Sequence, residues 1–190
     1  MNVSVHGIKA GFSLLEMMVV IGIIALMAAI VLPNLQTATP SKKRKQCVAE
    51  IQTLFGYAWQ HALTTGKVHR LFFDFNKRTI TIQMTEDTVD AKGDPLFVTV
   101  KEAYAKTIYQ WPGNIIIKQF FIEGTDELNQ LGKKTETVWC FIVPDGMAQP
   151  VIMNAIDTAQ KDATGKDLQI GLVLNPFTAR LKEYETFQKP

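Results

Sequence analysis

A single carboxylate interrupts an apolar segment near the start of the chain, and its position is the clearest chemical signal in the sequence. Glu16 is the only ionisable residue between Phe12 and Leu32. A charged side chain at the centre of a membrane helix costs about 2.5–3.5 kcal/mol, and the residues that accept this cost usually serve a function. Glu16 lies near one end of the segment, where the cost is smaller, but its carboxylate still requires a partner.

The apolar segment has the length of a membrane-spanning helix. At ~1.5 Å per residue, residues 12–32 reach ~31 Å, close to the thickness of the hydrocarbon core of a bilayer. A cleaved secretory signal has a shorter apolar core that is followed by its cleavage site. Here the candidate cleavage site, Ala10-Gly11, precedes the apolar run. Cleavage there leaves the apolar helix at the new N-terminus.

The residues around this candidate site resemble a known processing signal. The stretch from Lys9 to Met17 reads KAGFSLLEM and resembles the prepilin processing site of type IV pilins and type II secretion pseudopilins. The resemblance implies that residues 1–11 are a leader peptide. It also implies that a membrane aspartyl peptidase cleaves between Gly11 and Phe12 and that the new amine of Phe12 is methylated.

The same resemblance assigns roles to further residues of the helix. Glu16 becomes the fifth mature residue, where the family carries glutamate, and Pro33 falls where many members kink the helix. When apolar helices bundle in a fibre, a buried carboxylate needs a cation or a hydrogen-bond donor. The freed amine of Phe12 is a candidate partner, and such a pair sets axial register; the alternative is a plain anchor with an incidental Glu16. Close helix approach is expected along a small-residue stripe with i, i+3, i+7 spacing: Gly22, Ala25 and Ala29.

A basic cluster, Lys42-Lys43-Arg44-Lys45, follows the apolar segment. The positive-inside rule places such a cluster in the cytoplasm, whereas the prepilin resemblance requires the N-terminus to be there. We give the processing motif more weight and expect the cluster in the periplasm. It is then either a solvated helix face or a contact for anionic headgroups or an acidic partner.

Composition and charge bound the rest of the protein. The chain has 190 residues, is 47% hydrophobic and carries a formal net charge of +2. About 155 residues remain after the leader and the apolar segment, enough for one domain with its own core. The small net charge argues against nucleic acid as a partner. Cys47 and Cys140 are too few for a disulfide scaffold, so they form either one bridge or two buried free thiols.

Helical periodicity continues beyond the apolar segment. Residues 12–66 are predicted to form a long N-terminal helix, with residues 12–32 in the membrane and a kink or short break near Pro33. Gly66 is the stop signal. The second half of the helix carries an apolar stripe at helical spacing: Val48, Ile51, Phe55, Ala58 and Ala62. This face is expected to pack on a globular domain.

Residues 67–190 are predicted to form a β-rich domain. Alternation and turn signals predict eight strands, at 68–75, 79–84, 96–100, 115–122, 137–143, 151–156, 168–174 and 178–184. Polar loops are expected at 85–95, 123–136 and 157–167. The predicted fold class is therefore α+β, with antiparallel β-sheets packed on the long N-terminal helix.

Side chains that could catalyse a reaction are sparse. The three histidines, His6, His61 and His69, lack a metal-ligand spacing, and the sequence contains neither a nucleophile elbow nor a phosphate-binding glycine loop. His61 and His69 flank one turn, but two lone, half-exposed side chains are expected. One loop is rich in acids, although its spacing does not match a calcium-binding EF-hand: Glu86, Asp87, Asp90 and Asp94. We expect no cofactor, no metal and no enzymatic activity.

The aromatic residues allow two interpretations. The tryptophans are most simply core or rim residues: Trp59, Trp111 and Trp139. Three phenylalanines are alternatively exposed contacts for neighbouring subunits: Phe120, Phe121 and Phe187. The sequence pattern does not separate the two cases.

One helix followed by many strands, with the turn VWCFIVPDG at residues 138–146, resembles the H-type minor pseudopilins and their FimT-like minor pilin relatives. This resemblance implies a minor pseudopilin of a type II secretion system, anchored once in the bacterial inner membrane with its C-terminal domain in the periplasm. The implied partners are other pseudopilins, the prepilin peptidase and the inner-membrane assembly platform. Two alternatives remain: a minor pilin of a type IV pilus that serves pilus assembly or DNA uptake, and a membrane-anchored periplasmic enzyme.

Overall fold

The computed structural model describes residues 13–36, 39–89, 93–103, 105–130 and 135–190. The chain forms two compact units, residues 1–39 and residues 40–190. The predicted leader, residues 1–11, and Phe12 lie outside the described residues.

The described part of the first unit is one helix, α1, which spans Leu14–Gln36. Ser13 caps it, because the Ser13 hydroxyl oxygen accepts a hydrogen bond from the backbone N–H of Glu16 at 3.2 Å. The backbone stays helical through Pro33, so a break at this residue is not found, and the kink there stays a prediction. Proline removes only one backbone donor, and the hydrogen bonds of its neighbours carry the helix past it. Within the described residues, no helix combines the length and the apolar character needed to cross a membrane.

The second unit begins with helix α2, Pro40–Thr65. Pro40 occupies the first helical position, where its missing N–H leaves no hydrogen bond unmade. Gly66, the predicted stop signal, follows α2 with a left-handed φ of 66°, a conformation that glycine adopts without strain. The buried face of α2 follows helical spacing: Cys47, Ile51, Leu54, Phe55, Ala58 and Ala62. Val48 lies partly buried at the edge of this stripe.

The described residues of the second unit also form ten strands, numbered in chain order: β1 (His69–Asp74), β2 (Thr79–Val89), β3 (Pro95–Thr99), β4 (Ile108–Gln110), β5 (Ile115–Ile122), β6 (Thr125–Asp126), β7 (Thr137–Ile142), β8 (Val151–Lys161), β9 (Asp167–Asn175) and β10 (Arg180–Tyr184). The first sheet has the order β3-β2-β1-β7, and β4 also pairs with β2. The second sheet has the order β10-β9-β8-β5-β6. All pairings are antiparallel, so the predicted α+β class with antiparallel sheets is confirmed.

The strands differ from the prediction at their ends. β2 continues to Val89 and β8 to Lys161, so parts of two predicted loops are strands. In both strands the pairing shifts register before the end, and the polar side chains there lie outside the core. Strict alternation is therefore lost, and with it the sequence signal. The short strands β4 and β6 were not predicted, because two or three residues are too few to establish a period.

The core of the second unit lies between α2 and the two sheets. The ring of Phe73 in β1 lies 6.5 Å from that of Phe55 in α2 and 4.8 Å from that of Phe120 in β5. Phe73 thus joins the helix and both sheets through ring contacts. Phe120 is fully buried, so it is a core residue and not an exposed subunit contact.

Candidate functional site

Of the residues predicted to act in processing and in setting the register, Glu16 is the one near the start of α1 that the structure describes. Gly11 and Phe12 lie outside the described residues, whereas Glu16 lies in the first turn of α1. Its side chain is exposed and near the positive end of the helix dipole, which favours a negative charge. Ser13 and Glu16 also have the Ser-x-x-Glu spacing of a capping box, which the sequence analysis missed. Glu16 therefore has two candidate roles, as the partner of a cation and as part of the helix cap.

Apolar side chains cover the described part of α1 on all sides. Every large apolar side chain from Leu14 to Met27 is exposed, and consecutive positions point in all directions around a helix. The predicted small-residue stripe is also exposed: Gly22, Ala25 and Ala29. A Cβ atom placed on Gly22 would meet no atom within 4 Å. The helix therefore requires an apolar cover on every side, and the stripe leaves room for a second backbone to approach.

The two thiols are free and buried, so the alternative of a Cys47–Cys140 bridge is not found. Cys47 lies beside Tyr109 of β4, with which it shares a hydrogen bond, whereas Cys140 hydrogen-bonds to the backbone of Leu71 in β1. Burial raises the pKa of the Cys47 thiol to about 11 and that of Cys140 to about 12. Both thiols therefore stay protonated and poorly nucleophilic at neutral pH.

Acidic side chains near the end of β2 form a salt bridge or a hydrogen bond with neighbouring residues. Asp87 forms a salt bridge with Lys67 at 3.1 Å, and a Glu86 carboxylate oxygen accepts a hydrogen bond from the Thr88 hydroxyl at 3.1 Å. Asp90 lies outside the described residues. Across the described ranges, no group of three or more potential ligands could hold a metal ion. His61 and His69, in contrast, are brought into contact, with 2.8 Å between a nitrogen of each ring.

The residues of the predicted basic cluster have two different environments: one is paired and mostly buried, and three are exposed. Arg44 forms a salt bridge with Glu183 of β10 at 2.8 Å, and only 12% of its side chain is exposed. The cluster's three lysines, at positions 42, 43 and 45, are exposed. Arg44 therefore ties α2 to the second sheet, and the lysines form a solvated helix face.

A family comparison decides what the N-terminal segment is. Residues 8–32 match the family described as "Prokaryotic N-terminal methylation motif", and this range contains Gly11, Phe12 and Glu16. The N-terminal segment of the chain therefore carries a methylation motif of the type IV pilin-like kind. No match was found among curated proteins.

Solved structures resemble this chain in their fold. A crystal structure of the minor pseudopilin EpsH from the type II secretion system of Vibrio cholerae is 11% identical, with a TM-score of 0.51, and the match covers 75% of this chain and 96% of that chain. A second EpsH structure from the same organism is 12% identical, with a TM-score of 0.49, and covers 75% and 95%. The first likeness shows a shared fold, in which an N-terminal helix accompanies antiparallel sheets.

The second unit also carries an aromatic cluster on the first sheet, which the sequence analysis did not predict. The guanidinium carbon of Arg70 lies 4.0 Å from the ring centre of Phe97 and 5.4 Å from that of Trp139, within cation–π range. Phe72 stacks on Trp139, and Phe141 packs against Phe97. Trp139 is 42% exposed, so the cluster reaches the surface. Spacing by two along β1 and β7 was visible in the sequence, but the register that joins the strands was not.

Proposed function

We propose that this protein is a minor pseudopilin of a type II secretion system. A prepilin peptidase cleaves it between Gly11 and Phe12, residues 12–32 anchor it in the bacterial inner membrane, and residues 40–190 lie in the periplasm. The mature protein then joins a pseudopilus that drives protein export. The observation that supports this proposal best is the methylation motif, which leads directly into a helix with apolar side chains on all sides.

A helix of this kind needs two apolar environments in succession. Lipid tails cover the helix before assembly, and the helices of neighbouring subunits cover it in the fibre. Because lipid tails are as apolar as the side chains, helices associate there through close packing and polar contacts rather than through the hydrophobic effect. The exposed stripe of Gly22, Ala25 and Ala29 supplies that close approach.

Glu16 supplies the polar contact in this proposal. Once water is excluded from the helix bundle, its carboxylate requires a cation or a donor, and the methylated amine of Phe12 on the same or a neighbouring subunit meets this need. A subunit added at the wrong axial position leaves the Glu16 carboxylate and the Phe12 amine buried without partners. Such a state costs several kcal/mol, so the pair selects one axial register.

The secretion role, rather than a pilus role, is supported by the likeness of fold to EpsH, which is itself a minor pseudopilin. We assign the protein to the same H-type group, with other pseudopilins, the prepilin peptidase and the inner-membrane assembly platform as its partners. Its role is structural and needs no catalytic group. The buried, protonated thiols and the locally paired acids of the second unit accord with such a role.

Two substitutions distinguish the two candidate roles of Glu16. Glu16→Ala removes both the charge and the capping side chain, whereas Glu16→Gln removes the charge and keeps a residue that serves in capping boxes. We expect both variants to be cleaved and to stay in the membrane. Recovery of each in purified fibres should fall by about tenfold or more, because the Phe12 amine is then buried without a counter-charge.

Glu185→Gln, which changes an exposed acid of the second unit, is the control and should be recovered as well as the wild type. Normal recovery of Glu16→Gln with poor recovery of Glu16→Ala would assign Glu16 to the helix cap alone. Normal recovery of both variants would refute the register role.

A further inference from the structure

Two imidazole rings meet where α2 ends and β1 begins. Nδ1 of His61 lies 2.8 Å from Nε2 of His69, and the rings are nearly perpendicular, with 4.9 Å between their centroids. His69, the first residue of β1, is fully buried, and His61 is partly buried. The contact therefore joins the last turns of the helix to the first strand, and the expectation of two lone, half-exposed histidines is wrong.

The hydrogen-bond partners determine where the protons sit. Nδ1 of His69 lies 2.9 Å from the carbonyl oxygen of Lys67, and a carbonyl can only accept, so this nitrogen carries a proton. When His69 is neutral, its Nε2 is then an acceptor. Nδ1 of His61 must therefore carry the proton that fills the 2.8 Å contact.

The second nitrogen of His61 faces a carboxylate. Nε2 of His61 lies 3.6 Å from Glu102, in the segment that follows β3. A proton on this nitrogen makes His61 a cation that faces an anion, and without that proton its lone pair faces the carboxylate. The 2.8 Å contact is therefore satisfied while the pair carries at most one positive charge, because one of the two facing nitrogens can then still accept a hydrogen bond.

A second proton has no place in this arrangement. It would enter at Nε2 of His69, where two N–H groups would then point at each other across 2.8 Å and two cations would share a buried corner. Burial and the neighbouring His61 lower the pKa of His69 from its ordinary value of 6.5, against the opposing effect of the Lys67 carbonyl. Entry of the second proton must therefore separate the rings.

Around the pair, the described residues supply no charge other than that of Glu102 to relieve this repulsion. The ring of Tyr57 on α2 stacks on His61 at 5.5 Å. The ammonium of Lys67 is bound to Asp87. The residues opposite His69 on β2 and β7 have no titratable groups: Met84 and Ile142. Among the described residues, Glu102 is the charged group in contact with the pair.

We propose that His61, His69 and Glu102 form a proton-operated clamp, which holds the end of α2 on β1 while the pair carries at most one charge and opens when both rings are charged. The clamp goes beyond the role of the protein in a fibre, and it makes this corner of the second unit sensitive to acid. Because the unfolded chain binds the proton on His69 more readily, the stability that the clamp provides is complete above about pH 6.5. It declines as the pH falls through the folded pKa.

The proton positions can be measured by nitrogen NMR of the histidine rings in the full-length chain in detergent micelles. At about pH 7.5 we expect His69 to be neutral with its proton on Nδ1. Between about pH 7.5 and about pH 5, the exchange of the Thr65 and His69 amides, corrected for intrinsic rates, should rise by about tenfold or more as the corner opens. A neutral His69 with its proton on Nε2 would overturn the clamp, whether or not any variant folds.

His61→Gln tests the second proton directly. The glutamine amide can donate to neutral His69 and, after a flip, accept from protonated His69, so His69 should titrate at higher pH and the acid-induced rise in exchange should disappear. His6→Gln, in the leader, is the matched control and should keep the wild-type response. An unchanged acid response in His61→Gln would overturn the proposal. So would one equivalent of zinc shifting both ring signals at neutral pH, because the pair would then be a metal site.

Discussion

Cleavage of the leader is expected to depend on one residue, Gly11. Gly11 offers the peptidase a residue without a Cβ next to the scissile bond, where the backbone must be approached closely. We expect Gly11→Val to block cleavage and methylation, because a branched side chain fills that space. Gly7→Val makes the same change elsewhere in the leader and should be processed normally. The mass of the protein isolated from its native membrane distinguishes a retained leader from a cleaved, methylated chain, and a cleaved Gly11→Val would contradict the assignment of the site.

A motif can be recognised in the sequence when it depends on neighbours within a few positions, and residues 8–32 do match a methylation motif. The individual roles of Gly11 and Glu16 within it stay predictions. The contact of His61 with His69 and the burial of Phe120 depend on how helix and strands meet, which no local pattern reports. Of the tryptophans, Trp111 is buried and Trp139 is at the rim, as the simplest interpretation predicts.

At the scale of elements, the C-terminal tail, residues 185–190, lies against β8 and β9 of the second sheet. The side-chain amide of Asn154 in β8, fully buried, donates to the Gln119 side chain and to the Gln188 carbonyl, and its oxygen accepts from the Gln188 backbone N–H at 2.9 Å. The tail therefore supplies two of the three hydrogen bonds of this buried amide. Gly171 of β9 lies directly beneath this crossing.

Gly171→Ala should displace the tail. A Cβ atom on Gly171 would lie 2.3 Å from the Thr186 carbonyl oxygen, so the backbone must move and the bonds to Asn154 weaken. We expect the free energy of unfolding to fall by about 1–3 kcal/mol, measured by denaturant unfolding of the full-length chain. Gly56→Ala is the matched control, since a Cβ there meets no atom within 4 Å; it should be neutral or stabilise by up to about 1 kcal/mol. Equal stability of Gly171→Ala and the wild type would show that the tail is not held against β9.

The elements themselves were predictable to different degrees. The buried stripe of α2 and most strands followed from periodicity, because each buries one face in the core. The ends of β2 and β8 and the pairing order of the sheets did not, because strand register and neighbours are set by long-range contacts. The position of the tail could not be predicted, since its hydrogen bonds to the sheet go to the side chains of Asn154 and Gln169, which no local pattern marks.

At the scale of the whole molecule, the two units carry different information. The first unit, with its methylation motif and apolar helix, meets the needs of pilins and pseudopilins equally, so it cannot separate export from piliation. Any difference between an export role and a pilus role must therefore lie in the second unit. Its charges are unfavourable for DNA binding, because Arg44 is paired with Glu183 and the net charge of the chain is only +2. Phosphate contacts dominate the affinity of DNA-binding proteins, and a mixed surface gives few of them.

Deletion of the gene in the native host therefore distinguishes the two fibres. We expect the deletion to abolish secretion of folded exoproteins and to leave surface piliation and transformation by DNA intact. Complementation with the wild-type gene should restore secretion, and complementation with Glu16→Ala should not, because a subunit without its register charge is processed but poorly assembled. Lost piliation or lost transformation with normal secretion would instead assign the chain to a type IV pilus. The fold and the processing motif would stand in either case, since both fibres are built from the same kind of helix.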